Sequence, residues 1–307
     1  TGSEWDVALI DKMWGVIDKV AKQKFGLDYY EPQIELITAE HMLDNYSNAA
    51  MPLNYGHWSF GKTFLQNERQ YNKGMMGLAY EVVINTNPCI TYLMENNSAT
   101  LQALVLAHSI CGHSHFFKNN YLFKGWTDAD TIVDYLKFAK KYIKMCEEKH
   151  GEQRVERLLD ACHALQNHGV DKYKKPSGID KELRRANRDE HTEATFNDLW
   201  RTVPEKHELD SVDSVRIGEE NLLYFIEKNS PILETWEREV VRIVRKLAQY
   251  FYPQRQTQLL NEGFATFTHY HIMEELNNQG YLNDGAYLEF LQSHTNVVAQ
   301  RDWDDKH

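Results

Sequence analysis

The chain has 307 residues, 42% of them hydrophobic and 12% aromatic, enough to bury a sizeable core and far from a disordered composition. Its formal net charge of -11 argues against a nucleic acid or an anionic membrane as partner, because both are gripped through fields of Lys and Arg. No apolar run nears the roughly 20 residues that span a bilayer, and the four scattered cysteines, without a C-x-x-C, point to a reducing, cytoplasmic setting rather than a disulfide scaffold.

In chain order, residues 4–26 carry apolar side chains at helical spacing, among them Leu9, Met13, Ile17 and Val20, and predict an amphipathic helix. A short apolar run follows Pro32, then a short helix from Ala39 to Tyr46. The aromatic stretch MPLNYGHWSFGK (51–62), punctuated by Pro and Gly, reads as an irregular loop. The β-branched run from Leu78 to Ile90 is the clearest strand. Ser98 is placed to cap a helix through ATLQALVLAHSIC. Further helices are expected at 128–149, 152–168, 220–250, 257–277 and 284–293, while the charged segment 171–219 reads as a surface excursion. The expected fold is therefore α+β: one predominantly helical domain over 1–307, with a small antiparallel sheet in the N-terminal third.

Fourteen histidines are a generous count, and some of them cluster. A strand and then a helix lead to His108 and His113; far downstream comes Asn261–Glu262–Gly263–Phe264–Ala265. That order resembles a gluzincin metallopeptidase. The resemblance implies a zincin-like core in which His108, His113 and Glu262 hold Zn²⁺ and leave one position for water, with a peptide or amide as substrate.

The departure from that pattern is specific. Gluzincins carry H-E-x-x-H, with both histidines on one helical face and a glutamate beside them as base. Here the two histidines are five residues apart, which on a regular α-helix turns them about 140° from each other at roughly 100° per residue. Convergence then requires the helix to end or bend near Gly112; if it does not, His115 competes as the second ligand. Ser109 stands where the base should be. Glu81, in the apolar strand, and His269, two turns beyond Glu262, are the candidates to handle the proton.

Other polar residues read more plainly. His57 is at home in a packed loop and Cys111 as a small helix filler. Asp160 and His163 have the i, i+3 spacing of carboxylate-bridged metal bundles but lack a matching second pair.

Longer stretches carry a second resemblance. MPLNYGHWSFGKTF, GLAYEVVINTNPCITYLMENN, AHSICGHSHFFKNNYLF, LLDACHALQNHGVDKYKKP and QYFYPQRQTQLLNEGFATFTHYHI are similar to the stage V sporulation protein R family over nearly the whole chain. The family pattern falls on His57, Glu81, His108, His113, Asn119, Asn120, His163, Glu262, His269 and His294. The resemblance implies a bacterial, cytoplasmic protein linked to spore cortex formation or stress physiology. It also implies a functional link to a serine protein kinase and a von Willebrand-type protein, but no particular reaction. It further implies a continuation beyond SHTNVV, rich in Tyr, Gly, Asn and Pro, that this sequence does not contain.

Overall fold

Helix α1 (Val7–Gln23) is capped by Asp6, whose side chain accepts from the Leu9 amide at 2.8 Å, and its spacing puts Ile10, Ile17, Val20 and Ala21 on one buried face. It belongs to a computed structural model that describes residues 5–47, 54–73, 81–172 and 220–299. After β1 (Pro32–Ile37) come α2 (Ala39–Ser47) and α3 (Trp58–Asn72). Residues 58–62, expected in a loop, instead open α3: His57 supplies the cap, its ring nitrogen accepting from the Ser59 amide, and Gly61 is carried within the helix.

The strand expected over 78–90 is two strands, β2 (Glu81–Ile84) and β3 (Cys89–Met94), with residues 78–80 lying outside the described residues. Pro88, with no amide hydrogen to give a ladder, sits in the turn between them. The sheet has the order β1-β3-β2. Its two pairings differ: β2 runs antiparallel to β3, with Glu81 opposite Leu93, but β1 runs parallel, with Pro32 opposite Cys89. The expected antiparallel sheet is thus a mixed one. Only the β2–β3 link is short enough for a hairpin, whereas β1 reaches β3 through a long helical crossover.

The sheet separates two cores. On one side Val82, Ile84 and Tyr92 pack with α7 (Ile132–His150), α8 (Glu152–Leu165) and the first half of a long helix. On the other side Leu93 packs with α1 and with α4 (Ala99–Leu106), and Ile110 and Cys111 fill the same core from the turns that follow α4. Cys111 is fully buried there, one of four free, buried cysteines. Strand alternation does the sorting: Val82 enters the first core, so Glu81 beside it faces the other way.

Two short helices, α5 (His115–Asn119) and α6 (Tyr121–Trp126), lead from α4 toward α7. Leu222–Asn229 forms α9. The helices expected at 220–250 and 257–277 are otherwise one: α10 runs from Thr235 to Asn278 with Pro253 inside it. Proline removes one backbone hydrogen bond, but Val240, Val241, Val244 and Leu247 before it and Ile272, Met273 and Leu276 after it anchor the rod in the two cores. Helix α11 (Asp284–Val298) closes the chain's described part. Apart from residues 171 and 172, the excursion expected over 171–219 lies outside the described residues. Among those residues no helix is long and apolar enough to cross a membrane.

The candidate metal centre

Between its two apolar ends α10 buries polar side chains, including Asn261, Thr268 and His269. This segment meets the rod that follows α4, and there the helix does not bend at Gly112. It widens: Ala107–Ser114 is a π-helix that continues directly into α5. In a π-turn the hydrogen bond closes from i to i+5, so residues five apart stack on one face. The spacing that would split His108 and His113 on an α-helix brings them together here, ring centroids 4.6 Å apart and nearly perpendicular.

Gly112 therefore serves contact rather than a bend. A β-carbon built on it would lie 2.6 Å from both the α- and β-carbons of Ala265, so only glycine lets the π-helix seat against α10. His115, the competing ligand, is turned away; its Nδ1 accepts from the Asp28 amide and its ring stacks on Phe264. Ser109 is fully buried and donates to the Val105 carbonyl at 2.6 Å, so it offers no base.

Four donors converge. Nε2 of His108 lies 3.5 Å from Oε1 of Glu81 and 3.6 Å from Oε2 of Glu262, and Nε2 of His113 lies 3.7 Å from the same Glu262 oxygen. Among the described residues Glu81, His108 and His113 form a three-donor group whose ligand atoms all lie within 4.8 Å of one another. Glu262 adds a fourth donor, a second carboxylate that is half exposed, while the other three groups are largely buried. His269 is not one of the converging donors. Its Nδ1 lies 2.8 Å from Nδ1 of His108, and its Nε2 lies 2.9 Å from Nδ1 of His294 on α11. His113 is held in the same manner, its Nδ1 donating to Asn261 Oδ1 at 3.0 Å.

The electrostatics suit a bound cation. Burial pushes Glu81 up to about 7, with the Glu262 charge adding and His108 opposing. Burial and the neighbouring His108 push His113 down to about 4. Burial also works against the charged form of His108, but the Glu81 and Glu262 carboxylates outweigh it and raise that group. Glu262 is lowered by its contact with His108, then by His113. The residues fit a divalent metal: two imidazoles and carboxylate oxygen are the donors that Zn²⁺ and its neighbours take, and each imidazole has its second nitrogen tied down.

A second cluster lies nearby. His57 and His163 pack edge to face at 4.5 Å, and Tyr55 meets Nε2 of His163 at 2.5 Å. Asp160 does not share a site with His163 as a bundle ligand would; its Oδ1 faces Nε2 of His57 at 3.2 Å and accepts from the Trp58 indole at 2.9 Å. Tyr55 and His163 line a cavity of about 430 Å³ that Asn261 and Glu262 also line. Asn261 and this cavity were beyond sequence reasoning: an asparagine in a helix carries no signal of its own, although its place beside Glu262 in NEGFA was visible.

A mainly helical protein with a small mixed sheet and a buried histidine–carboxylate cluster between two cores is thus the class defined by fold and site. Residues 4–304 match the family described as SpoVR like protein, and the chain belongs to that family. It is similar to the uncharacterized protein YcgB of Escherichia coli (strain K12), with 56% identity over 306 residues. The match covers 97% of this chain and 60% of the length of that relative. No solved structure matches the chain.

Proposed function

We propose that the chain is a metal-dependent hydrolase of peptide or amide bonds, with zinc held by His108, His113 and Glu262. The observation that carries the reading is the spacing of the donors. The Glu262 oxygen stands 3.6 Å from Nε2 of His108 and 3.7 Å from Nε2 of His113, separations too long for hydrogen bonds. They suit ligands around one tetrahedral ion, whose donors stand roughly 3.4 Å apart when bonds are about 2.0–2.2 Å. When bound, such an ion polarises a carbonyl and lowers the pKa of water.

The protein's own residues supply the rest. Asn261 and His269 orient the two imidazoles so that each presents its Nε2 lone pair. If His108 donates from Nδ1 to His269, then His269 donates from Nε2 to Nδ1 of His294, so His108 is protonated on Nδ1 and the other two rings on Nε2. Glu81, buried and facing the cluster, stands in for the base that Ser109 cannot be. Its side chain is the hinge of the reading: as a proton acceptor it leaves an open position at the ion, whereas as a fourth ligand it closes a structural site.

The test is metal content. Protein purified without a polyhistidine tag and analysed by elemental mass spectrometry is expected to retain zinc at near one equivalent per chain, and Glu262→Ala to lose it while keeping its circular dichroism. Full occupancy in the variant would remove Glu262 from the ligand set.

A further inference from the structure

The cavity onto which Glu262 opens follows a single face of α10. Val244, Leu247, Phe251, Gln254, Gln258 and Asn261 all line it and recur every three or four residues. The stripe from Val244 to Glu262 is roughly 27 Å long at 1.5 Å per residue. Its character changes along that length. The part before Pro253 is apolar, whereas the part after it presents carboxamides, and Asn54 and Gln166 add two more from other walls.

Charge is scarce in this lining. The charged side chains are Glu262 and Arg255, and Arg255 is drawn aside by Asn167, whose Oδ1 accepts from Nη1 at 2.5 Å. Burial pushes His163 down to about 4, so it faces the cavity as a neutral imidazole tied to Tyr55.

We infer that this cavity is a groove for an extended, uncharged, amide-bearing chain, a short peptide, lying along α10 with its apolar end over Val244 to Phe251 and its amides on Gln254 and Gln258. A carboxamide carries both a donor and an acceptor, so it matches a peptide group in either sense. An anionic ligand would find one guanidinium already engaged and the Glu262 carboxylate ahead of it. The volume lies in the range of small-ligand pockets, and the mix of an apolar wall with a few polar groups is what such pockets show. The direction of the chain, toward Glu262, rests on the hydrolytic reading of the cluster; the groove itself does not.

Two chemical probes separate the two readings. N-acetyl-dialanyl-leucinamide, uncharged, reports the groove, and acetohydroxamate, a small chelator, reports the metal. Each is titrated by calorimetry into the full chain, zinc-loaded and zinc-free. The neutral peptide is expected to bind both forms, to weaken roughly tenfold in Gln258→Ala, which removes one exposed pair of hydrogen-bonding groups, and to weaken likewise when its amide end is replaced by a carboxylate. Peptide binding indifferent to Gln258→Ala, no preference for the uncharged end, or no peptide binding at all overturns the groove, whatever acetohydroxamate does. Peptide binding of the expected kind with no zinc-dependent acetohydroxamate binding leaves the groove standing and removes the hydrolytic centre.

Discussion

Gly112 and Ala265 touch with no room for a methyl group between them, the β-carbon position of one lying 2.6 Å from the α- and β-carbons of the other. This contact joins the π-helix that carries both imidazoles to the helix that carries Glu262. Gly112→Ala is therefore expected to push the two apart, costing about 1–3 kcal/mol by overpacking and loosening the donor cluster. Gly263→Ala, where nothing lies within 4 Å of the added carbon, is the control. Denaturant midpoints and zinc content of the two variants check this; equal behaviour would show that the rods are free to slide.

The orientation of the imidazoles can be tested apart from the donors themselves. Asn261→Leu and His269→Phe leave His108, His113 and Glu262 in place but remove the partners of both Nδ1 atoms. Loss of such a partner weakens metal binding by roughly 10–100-fold. Competition with a chromophoric chelator gives the affinity. An unchanged value in both variants would mean that packing alone aims the rings.

How much of this was open to sequence reasoning depends on the residue. His108, His113, Glu262, Glu81 and His269 stood out by side-chain chemistry, and the helical periodicity of α1, α4, α7 and α8 marked those elements. The five-residue spacing misled, because an angular increment of roughly 100° assumes an α-helix and nothing in AHSICGHS announces a π-turn. The break expected between 250 and 257 is absent: Pro253 falls in that gap, yet apolar packing on both sides carries the helix through it. The mixed sheet was hidden because alternation shows which face a strand buries and not which way its neighbour runs.

Glu227 gives a prediction about pH. Its buried carboxylate accepts from Nε of Arg242 and from Nε of Arg245, both at 2.9 Å, and ties α9 to α10. Burial would raise its pKa, but Arg242, Arg245 and Lys228 together hold it below the usual carboxylate value. A depressed folded-state pKa means that the stabilisation is complete above the unfolded value near 4.5 and is lost as pH falls through the folded one. Glu227→Gln is expected to destabilise the protein by on the order of 3 kcal/mol at neutral pH, since it leaves two guanidinium groups short of their partner. The gap from the parent protein should be flat from pH 8 to about 5 and shrink below that. Urea titrations at several pH values measure it; a gap that widens on acidification would reverse the sign argued here.

Glu81 decides between an enzyme and a structural site. It is the first residue of β2, opposite Leu93, and alternation aims it at His108 while Val82 enters the opposite core. Burial pushes it up to about 7, where a carboxylate can both take and return a proton near neutral pH. Glu81→Gln keeps the size and hydrogen-bonding shape of the side chain but cannot accept a proton. If Glu81 is the base, the variant retains zinc with an affinity close to the parent's, and hydrolysis of amide substrates falls by roughly 10²–10⁴-fold. If Glu81 is instead a fourth ligand, zinc affinity falls with it, and the closed site has no position left for water. Zinc affinity and turnover measured on the same preparation separate the outcomes. Loss of zinc in Glu81→Gln together with undiminished zinc in Glu262→Ala would give a site of Glu81, His108 and His113, with Glu262 free to face the cavity.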